Sequence, residues 1–508
     1  MKTNVSRRDF LKLQAAAMGG IALTSNGVYR AVAADTCPSD MPCFDQTAPD
    51  QNNSLFSSLP TACIDQPLAE GEMRITFLGT SCLPMLTQQG VSVYLEVGPT
   101  KKVGRHHVPL DYAMFDCGMG VLANYIAAGI PYGRMNKIFI AHLHADHMSE
   151  LSAIYCFGES ADRKFPFYVW GPSKSGLRDP VSHQIHEDGT KAILEHFRKV
   201  WRWHTEAFSF TSNGYEDYEL PTKESWGTPV DLVPVGPRYR ENARGKPIGA
   251  KYADPLNDSY ALIPIELNWC KVGGVAYDNK LTGLKITHFP VIHCRRGSIA
   301  YKVEWTPPGI PGAKTLSMIY SGDTKPTWTM VNQAKGVDVL IHEMVMPPLA
   351  WAMKFAHTDD PNDISNESLQ YAKDVQNSSH TTQAAFGYLL TQIQPPPRLT
   401  VATHFQATDD TIESAMKSLD SFGIPHEAYT FASDFMMLKV TEEEITQHRL
   451  DVSKHAYALL DAAYSNHLEP PKYRKLDANG QVVGDPDAQI DNAMWIPPGS
   501  DTYPEDGY

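Results

Sequence analysis

Lys137-Ile138-Phe139-Ile140-Ala141-His142-Leu143-His144-Ala145-Asp146-His147 decides how the chain is read. Its first half is apolar and β-branched, the pattern of a buried strand. Its second half delivers four metal-type ligands within six residues. Imidazole supplies neutral nitrogen and aspartate a hard anionic oxygen, a mixture that suits zinc and also manganese or iron. His142 and His144 lie two apart, so an extended segment points both to one side. Asp146 and His147 fall at a turn, and a helix is expected from Met148 to Phe157. Two ligand pairs packed this tightly suggest two metals sharing one pocket. The bland alternative is a surface histidine cluster, against which stands the placement of four ligands directly after a strand.

The same design recurs downstream. Leu284 to Phe289 reads as a strand that ends near His293, and Ser317 to Ser321 runs into Gly322-Asp323-Thr324. Val337 to Ile341 runs into His342-Glu343, and Leu399 to Thr403 into His404. Ligands at strand ends are what a layered α/β hydrolase needs, because rigid elements then hold the site at one edge. Further strands are expected at Arg74 to Thr80, Val91 to Val97, Ala113 to Gly118, Phe167 to Pro172 and Ala300 to Trp305. Helices are expected at Thr381 to Ile393, stopped by Pro395-Pro396-Pro397, at Ile412 to Phe422, and around Val452 to Ala463.

These runs resemble the metallo-β-lactamase superfamily, through His-x-His-x-Asp-His after an apolar strand. Phe77-Leu78-Gly79-Thr80 followed by Phe115-Asp116-Cys117-Gly118 resembles the opening of its ribonuclease Z branch. The resemblance covers about residues 73–440 and implies an α/β fold, the αββα sandwich. It implies that His142, His144 and His293 hold one metal, that Asp146, His147 and His404 hold a second, and that Asp323 bridges them. The implied cofactor is two divalent ions, zinc first, with manganese or iron as alternatives. A water between them would be acidified to a hydroxide nucleophile. The residues implied to carry catalysis are Asp146, which orients that hydroxide, His380, which acts near the leaving group, and Glu343, which orients His380. A carboxylate behind an imidazole favours the protonated ring and so fits a general acid. His380 is read at the start of the 381–393 helix, where a capping role is the alternative. His288 rivals His293, and the Tyr301-Lys302-Val303 strand that follows favours His293. Asp116 reads either as a carboxylate orienting a ligand histidine or as a turn aspartate. Cys294 reads as a neighbour of the site, and His106, His107, His183, His186 and His357 show no ligand pattern.

The rest of the chain bounds the function. Ser6-Arg7-Arg8-Asp9-Phe10-Leu11-Lys12 looks like a twin-arginine export signal, with a short apolar stretch (Leu13 to Leu23) and a small-x-small site at Ala31-Val32-Ala33. The expected organisation is a signal peptide at 1–34, an irregular leader at 35–72, the catalytic domain at 73–440 and a C-terminal wrapping extension at 441–508. An aromatic-rich insertion at about 201–280 would form either a lid or substrate wall, or a structural cover. The expected location is periplasmic or secreted, with no membrane span once the signal is removed. Cys37, Cys43 and Cys63 offer a disulfide there without a readable pairing. Net charge is −14, and loss of the signal, with five basic residues and one acidic residue, takes it to −18. Such a surface repels nucleic acid, whose affinity comes largely from phosphate neutralisation. Only Trp305 to Lys314 occupies the place where a tRNA-processing ribonuclease Z carries a long arm. The expected protein is an exported dinuclear-metal hydrolase of a small phosphodiester or sulfate ester, similar to arylsulfatase-like members. A lactonase or carboxylic ester hydrolase is the alternative, followed by a ribonuclease Z-type endonuclease and a non-catalytic metal-binding protein. The expected partner is a small-molecule ester; self-association stays open.

Overall fold

A computed structural model describes residues 59–201 and 262–452, apart from positions 65, 84, 104–105, 162, 164–165 and 408. It also describes His204 and two short isolated strand pairs within 240–248 and 475–483. The expected signal, most of the leader and of the insertion, and the 452–463 helix lie outside the described residues.

Strands form where apolar and β-branched residues run together. In chain order they are β1 (Thr61–Ala62), β2 (Met73–Gly79), β3 (Ser92–Val97), β4 (Asp111–Phe115), β5 (Lys137–Phe139), β6 (Phe167–Pro172) and β7 (Leu262–Leu267). Then follow β8 (Gly274–Asn279), β9 (Leu284–Pro290), β10 (Ile299–Trp305), β11 (Leu316–Tyr320), β12 (Val339–Glu343), β13 (Leu399–Thr403) and β14 (Tyr429–Phe431). β15 (Met436–Val440) and β16 (Ile445–Leu450) complete the two large sheets, and Lys101–Val103 pairs with His106–Val108 in a separate two-stranded sheet. The first sheet has the order β1-β16-β15-β2-β3-β4-β5-β6-β7, and the second runs from β8 to β14 in sequence. β4 to β7 are parallel, as are β11 to β14.

The two sheets share one apolar core. Ile75, Val93, Phe115, Phe139 and Trp170 of the first meet Tyr277, Tyr301, Val303, Met318 and Tyr320 of the second. Phe139 stacks on Trp170 at 4.4 Å between centroids, and Tyr301 meets Phe139 edge-on at 5.6 Å. Helices cover both outer faces. α1 (Val121–Ala127), α3 (Leu151–Ser160) and α4 (Thr190–Val200) add Tyr125, Ile154 and Leu194 to a cluster with Met114, Ile138 and Val169 on the first sheet. α5 (Trp328–Gln333), α8 (Gln383–Gln392) and α9 (Asp409–Ser421) add Met330, Phe386 and Leu419 on the second. The order is helix, sheet, sheet, helix, as expected for the αββα class. None of the described helices is long and apolar enough to cross a membrane.

Several boundaries differ from expectation. The last part of the 201–280 insertion belongs to the core, because β7 pairs with β6 and β8 with β9. Leu262, Ile263, Ile265 and Leu267 are buried there, so their apolar run outweighs the turn-rich context. The leader contributes β1, and the C-terminal extension contributes β16, which pairs with both β1 and β15. The helix expected from Met148 starts earlier, as the single turn α2 (Ala145–Met148), and restarts as α3. Glu150 breaks it: its N–H donates to the Cys117 carbonyl and its carboxylate accepts from the Gly120 N–H. The 381–393 helix begins only at Gln383, so His380 follows a helix not foreseen in the sequence, α7 (Asn366–Ser379). Another such helix, α6, spans Pro348–Ala356.

One buried ion pair pins β5 to β4. Lys137 Nζ lies 2.6 Å from Asp111 Oδ1, both side chains almost fully buried. Asp111 also accepts from Tyr277 (2.9 Å), Thr282 (2.7 Å) and Asn279 (3.1 Å). Removing the carboxylate strands a buried ammonium, so Asp111→Ala is expected to destabilise by about 3–5 kcal/mol. The urea midpoint at unchanged slope checks it; a loss below about 1 kcal/mol, the ordinary scale of a point mutation, would show the network to be slack.

Candidate metal centre

Parallel strands with ligands at their carboxyl ends deliver those ligands to one edge. β5 leads to His142, His144, Asp146 and His147. β9, β11, β12 and β13 lead to His293, Asp323, Glu343 and His404. The structure brings all seven expected ligands together, with His380 and Glu343 beside them. Their overlapping groups, His142/His144/His293, Asp146/His147/Asp323/His404, His293/Asp323/His380 and Glu343/His380/His404, could each hold a metal ion.

In the first group, His144 Nδ1 lies 3.0 Å from His142 Nε2 and 3.2 Å from His293 Nε2. His293 donates its Nδ1–H to the Ser379 carbonyl at 2.8 Å, which turns the Nε2 lone pair inward. Burial lowers the pKa of all three rings, His293 to about 4, so they stand neutral with lone pairs converging. In the second group, His147 donates Nδ1–H to Asp116 at 2.6 Å. Its Nε2 is buried without a hydrogen-bond partner, 3.2 Å from Asp323 Oδ1 and 3.5 Å from Asp146 Oδ2. His404 Nε2 lies 3.2 Å from the same Asp323 oxygen and 3.4 Å from Asp146.

Asp323 joins the two groups. Its Oδ2 lies 3.8 Å from both His142 and His293, while Oδ1 faces His147 and His404. Burial opposes ionisation of Asp323, but His404 and His147 hold its pKa well below the ordinary value. Burial likewise opposes charge on His147, yet Asp323, Asp146 and Asp116 raise its pKa well above the usual range. The spot calls for a cation. A divalent ion would displace the proton that these carboxylates draw onto His147, and imidazole nitrogens facing ionised oxygens are the donors such an ion takes, so the donor set fits.

The surroundings fix these ligands. Asp116, an expected orienting carboxylate or turn residue, is fully buried and does both. It sits at φ 56°, a left-handed conformation, accepts from the Ala141 N–H at 2.7 Å, and accepts from the Tyr320 hydroxyl at 2.6 Å. His404, at φ 71°, donates its N–H to the Thr80 carbonyl. The Thr80 hydroxyl donates to Asp434, which burial pushes up to about 7. Glu343 accepts from the Thr324 N–H and, at 2.8 Å, from His380 Nδ1. Burial works against charge on His380, but Glu343 and Asp323 prevail and raise its pKa to about 9. His380 lies in the link between α7 and α8, not at a helix start; its N–H donates to the Gln376 carbonyl. Cys294 Sγ lies 3.5 Å from His144 Nε2, the nitrogen turned away from the cluster. His288, the rival ligand, bonds the Asn268 carbonyl instead. Tyr320, Ser379, Thr80 and Asp434 were not foreseen. Thr80 left a trace in the sequence as the end of Phe77-Leu78-Gly79-Thr80, and Tyr320 as a polar-tipped aromatic three residues before Asp323; Ser379 acts through a main-chain carbonyl that no side-chain pattern announces.

No family model matches the chain. It is similar to ribonuclease BN of Citrobacter koseri, 25% identical over 276 residues, covering 54% of this chain and 77% of that protein. Among solved structures it is similar to the metallo-β-lactamase fold protein YhfI of Bacillus subtilis, with a TM-score of 0.41 and 12% identity, covering 73% of this chain and all of that one. It is also similar to human tRNase Z, short form, with a TM-score of 0.36 and 18% identity, covering 72% of this chain and 98% of that one.

If Asp116 orients His147 for metal, Asp116→Asn should keep the left-handed turn and the fold. Metal affinity should fall roughly 10- to 100-fold, the usual cost of losing such a partner. Chelator competition measures it; unchanged affinity would contradict the role.

Proposed function

We propose that this protein is a dinuclear-metal hydrolase that cleaves a small phosphodiester or sulfate ester. The observation that carries the reading is the position of Asp323, one oxygen toward His142 and His293 and the other toward His147 and His404. His142, His144 and His293 would hold one ion, Asp146, His147 and His404 the other, and Asp323 both. Zinc suits the nitrogen-rich set best, with manganese or iron as alternatives. When bound, the pair would polarise the scissile group and make water acidic enough to attack near neutral pH.

The chain's own residues do the rest. Asp146, the most accessible of the acidic ligands, orients the attacking water. His380 donates a proton to the departing oxygen from Nε2–H, because Glu343 engages its Nδ1. Glu343 is therefore a positioning residue. Water adds to the central phosphorus or sulfur, the ester oxygen leaves with the His380 proton, the proton lost by the attacking water passes to solvent, and His380 takes one back from solvent. The relatives' name, ribonuclease, supports phosphodiester chemistry over sulfate ester. Against tRNA as substrate stand the acidic net charge and the short β10–β11 connection, whose ends are tied by the Thr306 and Thr315 hydroxyls at 2.7 Å.

A panel of chromogenic phosphodiester, sulfate ester and lactone substrates on metal-loaded protein tests the reading. Phosphodiester or sulfate turnover is expected; lactone turnover alone would favour the lactonase reading. His380→Ala should keep its metal and lose a factor of roughly 10² to 10⁴ on alkoxide leaving groups. Its loss on nitrophenolate, which departs without a proton, should be much smaller. Equal losses on both would contradict the acid role.

Export through the twin-arginine signal at Ser6 to Lys12 belongs to the same proposal. Replacing both Arg7 and Arg8 by lysine should retain the protein inside the producing cell; unchanged export would remove that part.

A further inference from the structure

Beside the three-histidine group lies a cavity of about 120 Å³, well above the ~10–15 Å³ that admits one water. One wall is His142, His144 and His293; another is the turn Arg295-Arg296-Gly297-Ser298; the third is the loop from Pro172 to Ser175, with Asp188. The turn is tied to the site at its end. Gly297 sits at φ 109°, a conformation that other residues rarely adopt. On its far side Ile299 donates its N–H to the Ala141 carbonyl, which ties the turn to the histidine motif.

The two arginines differ in charge balance. Arg295 is neutralised: its Nη2 pairs with Asp188 Oδ2 and lies 3.4 Å from Ser175 Oγ. Asp188 is itself held by the Ser175 N–H at 2.9 Å and hydroxyl at 2.8 Å. Arg296 lines the same cavity and, among the described residues, has neither an ion-pair nor a hydrogen-bond partner. In a chain of net charge −14, this exposed guanidinium without an acidic partner, lining the cavity beside the histidines, offers a negative ligand a charge to meet. Another cavity, at the β8–β9 turn, is lined by Lys280 and Lys285 but also by Asp278 and Glu304, and shows no such imbalance.

We propose that this cavity is an anion subsite in which Arg296 recognises a second negative group on the substrate. The preferred substrate would then carry a phosphate or carboxylate besides the ester that is cut. The inference rests on the hydrolase reading for the word substrate, but the subsite itself is testable by binding alone.

The test compares 3-phosphonopropionate with propylphosphonate, which differ by a terminal carboxylate and matching length. Affinities for the metal-loaded protein are measured by calorimetry, with metal content checked afterwards. The wild type should bind the carboxylate probe roughly 5- to 10-fold more tightly, the scale of one charge-assisted contact. Arg296→Gln should bring the ratio to about one, and Arg296→Lys should restore part of it. The wild-type preference should shrink with salt. No preference in the wild type, or one unchanged in Arg296→Gln with metal and fold intact, would overturn the subsite. Bis(4-nitrophenyl) phosphate turnover by the wild type is read in parallel. If it and the other esters are inert while the Arg296-dependent preference holds, the hydrolase reading fails and the subsite stands.

Discussion

The Asp323 carboxylate sets the terms for the rest of the structure. It is stripped of water, and its Oδ1 has no hydrogen-bond partner among the described residues. A buried anion in that position is strongly disfavoured unless positive charge meets it. Two imidazole pairs, one on each of its oxygens, point nitrogens at the same space. Gly322 makes the approach possible. Its φ is 55°, and a Cβ there would lie 2.5 Å from the Ala141 side chain. Only glycine lets the end of β11 come so close to the end of β5, which carries the histidine motif.

The site is divided between the sheets. The first contributes His142 to His147; the second contributes His293, Asp323, Glu343 and His404. Neither group is complete until the sheets pack, so core packing and ligand geometry are one problem. The aromatic layer formed by Phe115, Phe139, Trp170, Tyr301 and Tyr320 lies directly beneath. Two of its hydroxyls cross the interface, Tyr301 to the Ile140 carbonyl at 2.8 Å and Tyr320 to Asp116. Ligands that bind only the packed state stabilise it in turn.

Much of this was legible in the sequence because strand ends and ligands coincide. His142 to His147, Asp323 and His404 each follow an apolar run, and strand propensity with ligand chemistry was enough to place them. Asp116 showed itself by ending another run. Less visible were features built on main-chain groups or on distant partners. α7 carries Asn366, Gln370, Asn377 and Ser378 and buries only Ala372, Gln376 and Ser379, so its periodicity is faint. His380 was therefore assigned to the wrong helix, although the Glu343 contact expected of it is present. β7 was hidden by its aromatic-rich surroundings, and it contains Pro264, a residue that strands admit mainly at a sheet edge, where β7 lies. The edge strand β1 is short and its neighbour β16 half-exposed, and tertiary pairing alone defines them.

The central claim is that one carboxylate spans two metal positions. Elemental analysis of carefully reconstituted protein, wild type beside Asp323→Ala, tests it most directly. The account predicts close to two equivalents of divalent metal per chain in the wild type, and a substantial loss in the variant while its helix and strand content is kept. One equivalent or fewer in the wild type, or two retained without Asp323, would contradict it.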